Sequence, residues 1–430
     1  MENLPFEPNL IDAMVHREKV HRRLFTDPAI FELEMERIFE KTWVYVGHEG
    51  EIPNSGDYRR SKIGLQPVIV VRNKADHVGV FINACRHRAA TVCQPERGNA
   101  RNFLCAYHGW GYDLDGKLVT VPIEQGQFDQ FDRENYGLIR VAKVAIHAGF
   151  IFASFNEQVM PLEQHLGAAA QYLSGFVDLS PTGRLLVDSG VHKYEYPNNW
   201  KTQVENGVDG YHAMVTHGSF LGGVLPERLG RDISGMMSDE APCYSWGLKG
   251  DHGMLDMRQT NRSAILGVKA ENLPIATQEY QRLLLQRLGD QQRFEEVLFN
   301  NGGDGYNLAV YPNLFIIGSQ IRMIQPVAVD KTEIFSSPTL LEGAPDEYNT
   351  QRLRSHEDFY GPASFGAPDD IEMFTRQAEG LQGKANQWLM YDRGLDRETE
   401  HADGVYSKLA DESAHRALWA HYRRLMLAES

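Results

Sequence analysis

The chain has 430 residues, 42% apolar, 10% aromatic and 23% charged, fractions that exclude a disordered, collagen-like or disulfide-dense protein. Its 43 Lys and Arg against 58 Asp and Glu leave a net charge of −15, which excludes nucleic acid and anionic membrane surfaces as general partners. No apolar run nears the roughly 20 residues of a membrane span, and no basic-then-apolar leader opens the chain, so a cytoplasmic protein of two or three domains is expected.

Residues 10–42 are predicted helical, because Ile30, Leu33, Ile38 and Phe39 recur at near-helical spacing. From Trp43 to Phe155 the texture turns to short β-rich runs (WVYVG, QPVIVVRN, HVGVFINAC, KLVTVP, AGFIFASF) separated by Gly, Pro, Asn and Asp. DLDG at 113–116 predicts a hairpin, since Asp-Gly tolerates the positive φ of a tight turn. Helical patterns return after Pro161, in PLEQHLGAAAQYLSGF, NNWKTQVENGVDGYHAM and ATQEYQRLLLQRLGDQQRFEEVLFN. Two β-rich stretches follow, YNLAVYPNLFIIGSQIRMIQPVAV and KTEIFSSPTLLE, then helices from Asp369 to Leu381 and from Asp411 to Leu427. The expected organisation is an N-terminal helical part (1–42), a β domain (43–155) and a second, α+β part (156–430), with the β domain inserted into the α+β domain.

Two constellations carry chemistry. Cys85-Arg86-His87 and Cys105-Ala106-Tyr107-His108 offer two thiolates and two imidazoles from two turns between strands. That set suits a [2Fe–2S] cluster with two Cys on one iron and two His on the other. Structural zinc is the alternative, but its paired ligands are usually two to four residues apart, whereas the first pair has one intervening residue. Cys93, nearby, reads as packing.

The second constellation is Asp209, His212 and His217. Histidines five apart diverge on an ideal helix and converge on one ion only where the helix ends or widens; Gly218 is placed for an ending. Asp209, three residues before His212, falls on the same helical face and can accept its ring N–H. Two imidazoles need a carboxylate to complete a facial triad with open positions, and Asp369-Asp370 is the best candidate pair. Pro368 followed by Asp369 predicts a helix start with Asp369 as the cap.

C-x-H…C-x-x-H-G-W, then NNW-K-x3-EN-x2-D-x-YH-x4-H, then the late acidic pair: over nearly all its length the chain resembles the large (α) subunit of the Rieske non-haem iron aromatic-ring-hydroxylating oxygenases. The likeness is nearest to the benzoate, anthranilate and terephthalate group. Where the family commonly has Gly after His-Arg, this chain has Ala89. The resemblance implies a small all-β Rieske domain inserted into a helix-grip (START-like) α+β catalytic domain with an antiparallel sheet. It implies a Rieske cluster on Cys85, His87, Cys105 and His108, and mononuclear Fe(II) on His212, His217 and Asp370. Asp209 matches the family's bridging aspartate and Asn206 an Asn near the iron.

The implied reaction uses O2 and NAD(P)H-derived electrons, delivered through a reductase and sometimes a ferredoxin, to hydroxylate or cis-dihydroxylate an aromatic ring. SQIRMIQPVAVDKTE and GPASFGAPDD suggest an aromatic carboxylic acid, for which Arg322 is a candidate partner; Val208, Phe220, Leu308, Tyr360 and Phe365 are candidate lining residues. The implied assembly is α3β3 with a small β subunit, otherwise an α3 homotrimer. In that closed ring one subunit's cluster lies beside the next subunit's iron, with Asp209 accepting from His108 and His212. The competing reading is a Rieske-type electron-transfer protein without oxygenase activity, which needs only residues 43–155.

Overall fold

The computed structural model describes all residues except 1–8, 124–130, 226, 228–233, 302–304, 362 and 429–430. Two compact units result: Phe39–Leu162, and Met1–Ile38 together with Glu163–Ser430.

The smaller unit is β throughout. Val78–Ile82, Gln66–Arg72, Asp57–Ile63 and Arg97–Asn99 form one antiparallel sheet in that order, and Lys143–His147, Phe150–Ser154 and Val44–His48 form another. A third pairs Phe103–Leu104, Gly111–Tyr112 and Leu118–Thr120. The predicted hairpin is present: Asp113 Oδ1 accepts from the N–H of Asp115 and of Lys117, and Gly116 takes φ +81°. Val68 to Val71 are all fully buried, and Tyr58, Phe81, Trp110 and Tyr112 pack around Cys85, Cys93 and Cys105. The Cys93 thiol is 3% exposed, beside Tyr58 and 3.6 Å from the Pro95 carbonyl.

The larger unit is built on a nine-stranded antiparallel sheet. In spatial order its strands are His192–Tyr196, Lys331–Pro338, Gln320–Ala328, Leu314–Ile317, Tyr306–Val310, His252–Asp256, Tyr244–Leu248, Gly404–Lys408 and Thr399–His401. Helix Ser413–Leu427 lies on Tyr244–Leu248 and His252–Asp256. It comes so close that a Cβ at Gly247 would stand 2.4 Å from the Cβ of Ala417. A helix packed on an antiparallel sheet is the expected α+β arrangement.

The N-terminal expectation needs correction. Helices Pro28–Glu34 and Met35–Phe39 (the latter π-helical) form as predicted, but Lys19–His21 is a strand paired with Trp388–Met390. Tertiary pairing overrides local helical spacing there: Val20 is 1% exposed. Glu34, wholly buried on the first of these helices, accepts from Trp200 Nε1 at 2.7 Å, from Tyr422 OH at 2.8 Å and from Lys201 Nζ. Three distant segments are thereby tied together.

Candidate metal centres

In the smaller unit the two ligand-bearing loops are the same turn used twice. The Cys85 N–H donates to Ala90 O and the Ala89 N–H to Cys85 O, both at 2.8 Å; the Cys105 N–H donates to Trp110 O at 2.8 Å and the Gly109 N–H to Cys105 O at 2.9 Å. The fourth residue after each cysteine therefore sits at positive φ, +73° at Gly109 and +56° at Ala89. Ala89 thus adopts the left-handed backbone that Gly109 takes in the second turn, at a cost of about 1–2 kcal/mol.

The turns bury both thiols and bring His87 Nδ1 to 3.2 Å from His108 Nδ1. Two nitrogen ligands at about 2.1 Å on one tetrahedral ion lie about 3.4 Å apart, so the imidazoles are spaced to share an iron. Trp110 stacks on His87 at 5.1 Å and 12°. The residues fit a [2Fe–2S] cluster with its cysteine side inward.

Tyr112 OH lies 3.2 Å from Cys85 Sγ and accepts from the Arg86 N–H at 3.0 Å, which turns its own proton toward the sulfur. Burial pushes the Tyr112 hydroxyl far above the usual tyrosine range, so it stays a donor. Hydrogen bonds to the sulfurs raise a cluster's potential. Tyr112→Phe is expected to lower the midpoint by about 40 mV, the one-electron equivalent of a hydrogen bond of about 1 kcal/mol. Redox titration followed by EPR measures it.

In the larger unit, helix Trp200–Asn206 is capped by Asn199, whose side chain accepts from the Lys201 N–H at 3.2 Å. The chain then turns and resumes as Ala213–Thr216, with His212 at its N-terminal and His217 at its C-terminal boundary. Asp209 therefore does not share a helical face with His212, as the spacing predicted. Its Oδ1 accepts from the Tyr211 N–H at 2.7 Å and the His212 N–H at 3.3 Å, and its Oδ2 lies 3.5 Å from His212 Nδ1. Gly218 does not end the helix either; the break falls at His217, and a π-helical turn, Phe220–Val224, follows.

Helix Ala367–Gly380 supplies the acids. Gly366 is its cap, not Asp369, and both Asp369 and Asp370 fall in its first turn. Asp370 Oδ1 stands 3.6 Å from His212 Nε2 and 3.3 Å from His217 Nε2. Ligand atoms of all three residues lie within 4.8 Å of one another. Asp369 Oδ2 is 3.5 Å from His217 Nδ1. Each imidazole thus has a carboxylate oxygen 3.5 Å from its Nδ1 and its Nε2 facing Asp370, the side on which a shared metal would sit. Asn206 Nδ2 donates to Asp370 Oδ1 at 3.1 Å and sits 3.4 Å from His212 Nε2. Two histidines and one carboxylate, backed in this way, fit a mononuclear Fe(II) site with open positions.

Burial opposes charge on Asp209, yet His212 and His415 hold its carboxyl down to about 2. Glu205 behaves oppositely. Burial pushes it up to about 7, although Tyr391 OH and Trp419 Nε1 both donate to its Oε1. His415 and Trp419 lie on the C-terminal helix, and spacing within the motif gives no sign of either.

Of the candidate lining residues, Val208 and Leu308 are fully buried core. Phe220 and Phe365 stack at 5.6 Å, and Phe359, which the sequence does not single out, bridges Phe220 at 4.8 Å to His217 at 5.1 Å. Tyr360 lies beyond, under Arg322. An aromatic wall beside two imidazoles and a carboxylate is the setting of an iron oxygenase acting on aromatic rings.

Comparison with known proteins agrees. Residues 42–135 match the Rieske [2Fe-2S] domain and residues 184–428 the catalytic domain of the ring hydroxylating alpha subunit. The anthranilate 1,2-dioxygenase large subunit of Acinetobacter baylyi is 36% identical over 394 residues, covering 89% of this chain and 81% of that protein. The 2-halobenzoate 1,2-dioxygenase large subunit of Burkholderia cepacia is 35% identical over 385 residues, covering 87% and 80%. The solved naphthalene 1,2-dioxygenase from Rhodococcus sp. bound to indole superimposes with a TM-score of 0.81 at 27% identity, covering 96% of this chain and 95% of that one.

The chain belongs to the ring-hydroxylating oxygenase α-subunit family, and is an oxidoreductase with a Rieske [2Fe–2S] cluster and a mononuclear iron. The electron-carrier alternative gives way, because it leaves the matched catalytic domain without a role. Alpha subunits of this family work with a reductase, a ferredoxin and often a β subunit. Among the described residues no helix is long and apolar enough to cross a membrane.

Proposed function

We propose that Cys85, His87, Cys105 and His108 hold the Rieske cluster and that His212, His217 and Asp370 hold the mononuclear iron of a cytoplasmic aromatic-acid oxygenase. The observation that carries this reading is the convergence of both Nε2 atoms on Asp370 Oδ1, with Asp209 and Asp369 behind the rings. Together the two groups supply one-electron transfer and dioxygen chemistry. The chain's own residues orient and shield: Asn206 holds Asp370 Oδ1, and Phe220, Phe359 and Phe365 keep water from the ring that is to be hydroxylated.

Asp209 is the proposed link for electrons. Its side chain is 30% exposed beside His212, so a second imidazole can reach it, and we assign that role to His108 of a neighbouring copy in a closed ring. Likeness to the family supports a ring of the α3β3 kind, otherwise an α3 homotrimer, fed by a reductase with or without a ferredoxin. The substrate class rests on likeness to relatives named for anthranilate and 2-halobenzoate.

Purified protein is expected to hold three irons and two inorganic sulfides per chain and, given reductant and O2, to convert aromatic acids to hydroxylated or cis-dihydrodiol products. Metal and sulfide analysis with chromatography of products tests this. Two irons and no product would leave an electron carrier.

A further inference from the structure

Among the described residues several buried polar atoms outside the metal ligands lack hydrogen-bond partners, and one group of them gathers around Arg322. Among the described residues, Gln320 Nε2, Arg322 Nε, His192 Nδ1 and both ring nitrogens of His356 are shut off from solvent without a hydrogen bond. These residues come from three elements and meet on one face. His192 and Arg322 both pair in register with Ser336, so the three stand in a row across neighbouring strands. Gln320, two residues before Arg322, shares that face, and its Oε1 accepts from Ser336 Oγ. Helix Asp346–Tyr360 closes the row from above: His356 lies 5.3 Å from His192, and Tyr360 lies 5.9 Å from His356 and 5.8 Å from the Arg322 guanidinium.

Charge makes the cluster unusual. Arg322 is 3% exposed, His356 1% and Gln320 0%. No carboxylate among the described residues stands within ion-pair distance of Arg322, although its field reaches Asp370 and helps to hold that carboxyl down. A buried guanidinium without an ion partner is strongly unfavourable. Burial, with His192 and Arg322 nearby, lowers His356 to about 3, so its imidazole is neutral and adds a donor without adding charge. The cradle is therefore one fixed cation with neutral donors around it, the complement of a single carboxylate. From Tyr360 the aromatic wall continues through Phe359, 4.8 Å away, to His217.

We propose that Arg322, with Gln320 and His356, is the carboxylate subsite of the oxygenase, and that it selects an aromatic monocarboxylate by anchoring the acid group while the ring lies along Phe359 toward His217. This deepens the functional reading above and rests on it. The guanidinium takes the carboxylate through its planar fork, and the Gln320 amide and one His356 N–H complete the oxygens' lone pairs. Neutral arenes leave the guanidinium unpaired and are discriminated against.

The test is equilibrium binding by calorimetry to the purified oxygenase, using benzoate, 2-hydroxybenzoate and 2-aminobenzoate, each beside its primary amide. Wild-type protein is expected to prefer at least one acid over its amide. Arg322→Gln should weaken that acid by about 30-fold or more with the amide changed less than threefold, and Arg322→Lys should recover part of the loss. Iron content and the Rieske EPR signal of both variants should match wild type. Acid binding should also survive removal of the mononuclear iron by a chelator. Four results overturn the subsite: wild type binds no acid better than its amide; Arg322→Gln leaves acid binding within threefold; it weakens acid and amide alike; or the chelated protein no longer binds the acid, which places the carboxylate on the metal. Failure of the oxygenase reading looks different, because the anchor would still bind acids while fully loaded protein formed no product from acids or neutral arenes.

Discussion

Asp370→Ala is expected to empty the mononuclear site and to bring product formation below detection, while the EPR signal of the reduced Rieske cluster keeps its wild-type intensity. Asp370 Oδ1 is the carboxylate atom that both His212 Nε2 and His217 Nε2 face, and its loss leaves two imidazoles, which hold Fe(II) weakly. The Rieske residues lie in the other compact unit and keep their own ligands. Asp369→Ala provides the contrast. Asp369 stands behind His217 at Nδ1, so its loss should reduce iron affinity or activity by about 10- to 100-fold rather than abolish them. Metal analysis, EPR and product chromatography on the same preparations check the pair. Full iron content in Asp370→Ala together with an empty site in Asp369→Ala would exchange the two roles.

Lys201→Met is expected to lower the unfolding free energy of the catalytic unit by about 3–5 kcal/mol. Lys201 is 3% exposed and Glu34 0%, and the ammonium is the charge that balances the Glu34 carboxylate. Burial pulls Lys201 below the usual lysine value, and its pairing with Glu34 opposes that shift. Without the lysine a carboxylate stays buried with only the neutral donors Trp200 Nε1 and Tyr422 OH. Glu34→Gln combined with Lys201→Met removes both charges and keeps an acceptor for those donors, so the double variant should be less destabilised than Lys201→Met alone. Urea unfolding followed by tryptophan fluorescence measures it, with Trp200 and Trp419 close to the change. A double variant as unstable as the sum of the singles would show that packing, not charge balance, dominates.

Most of the chemistry is legible in the sequence because each ligand loop carries its donor atoms within a few residues, and a local motif needs no knowledge of the fold. What stays hidden depends on contacts between distant segments. Strands Tyr244–Leu248 and His252–Asp256 do not read as strands, because Gly247 and Gly253 interrupt their alternation. A Cβ at 247 would meet Ala417 of the C-terminal helix, and one at 253 would meet Val208 and Leu418, contacts that only the fold reveals. Helix Asp346–Tyr360 has no apolar stripe; its fully buried positions are Asn349 and His356. His356 and Gln320 therefore look like surface residues until the sheet assembles beneath that helix. The helix cap shows the same limit: Pro368-Asp369 is a sound start signal, but the chain enters the helix from Gly366.

The contact at Gly247 has a bearing on how this scaffold diversifies. The helix pressed there carries Trp419 and His415, which set the environment of Glu205 and Asp209 behind His212. At Gly247 even a Cβ would overlap Ala417, so the helix behind the iron site meets the sheet there at a distance only glycine allows. The π-helical turn Phe220–Val224 on the aromatic side differs: a Cβ at Gly222 or Gly223 would meet nothing within 4 Å. A side chain larger than glycine at 247 is therefore expected to push that helix away and carry Trp419 and His415 with it, whereas alanine at 222 or 223 should leave the π-helical turn in place.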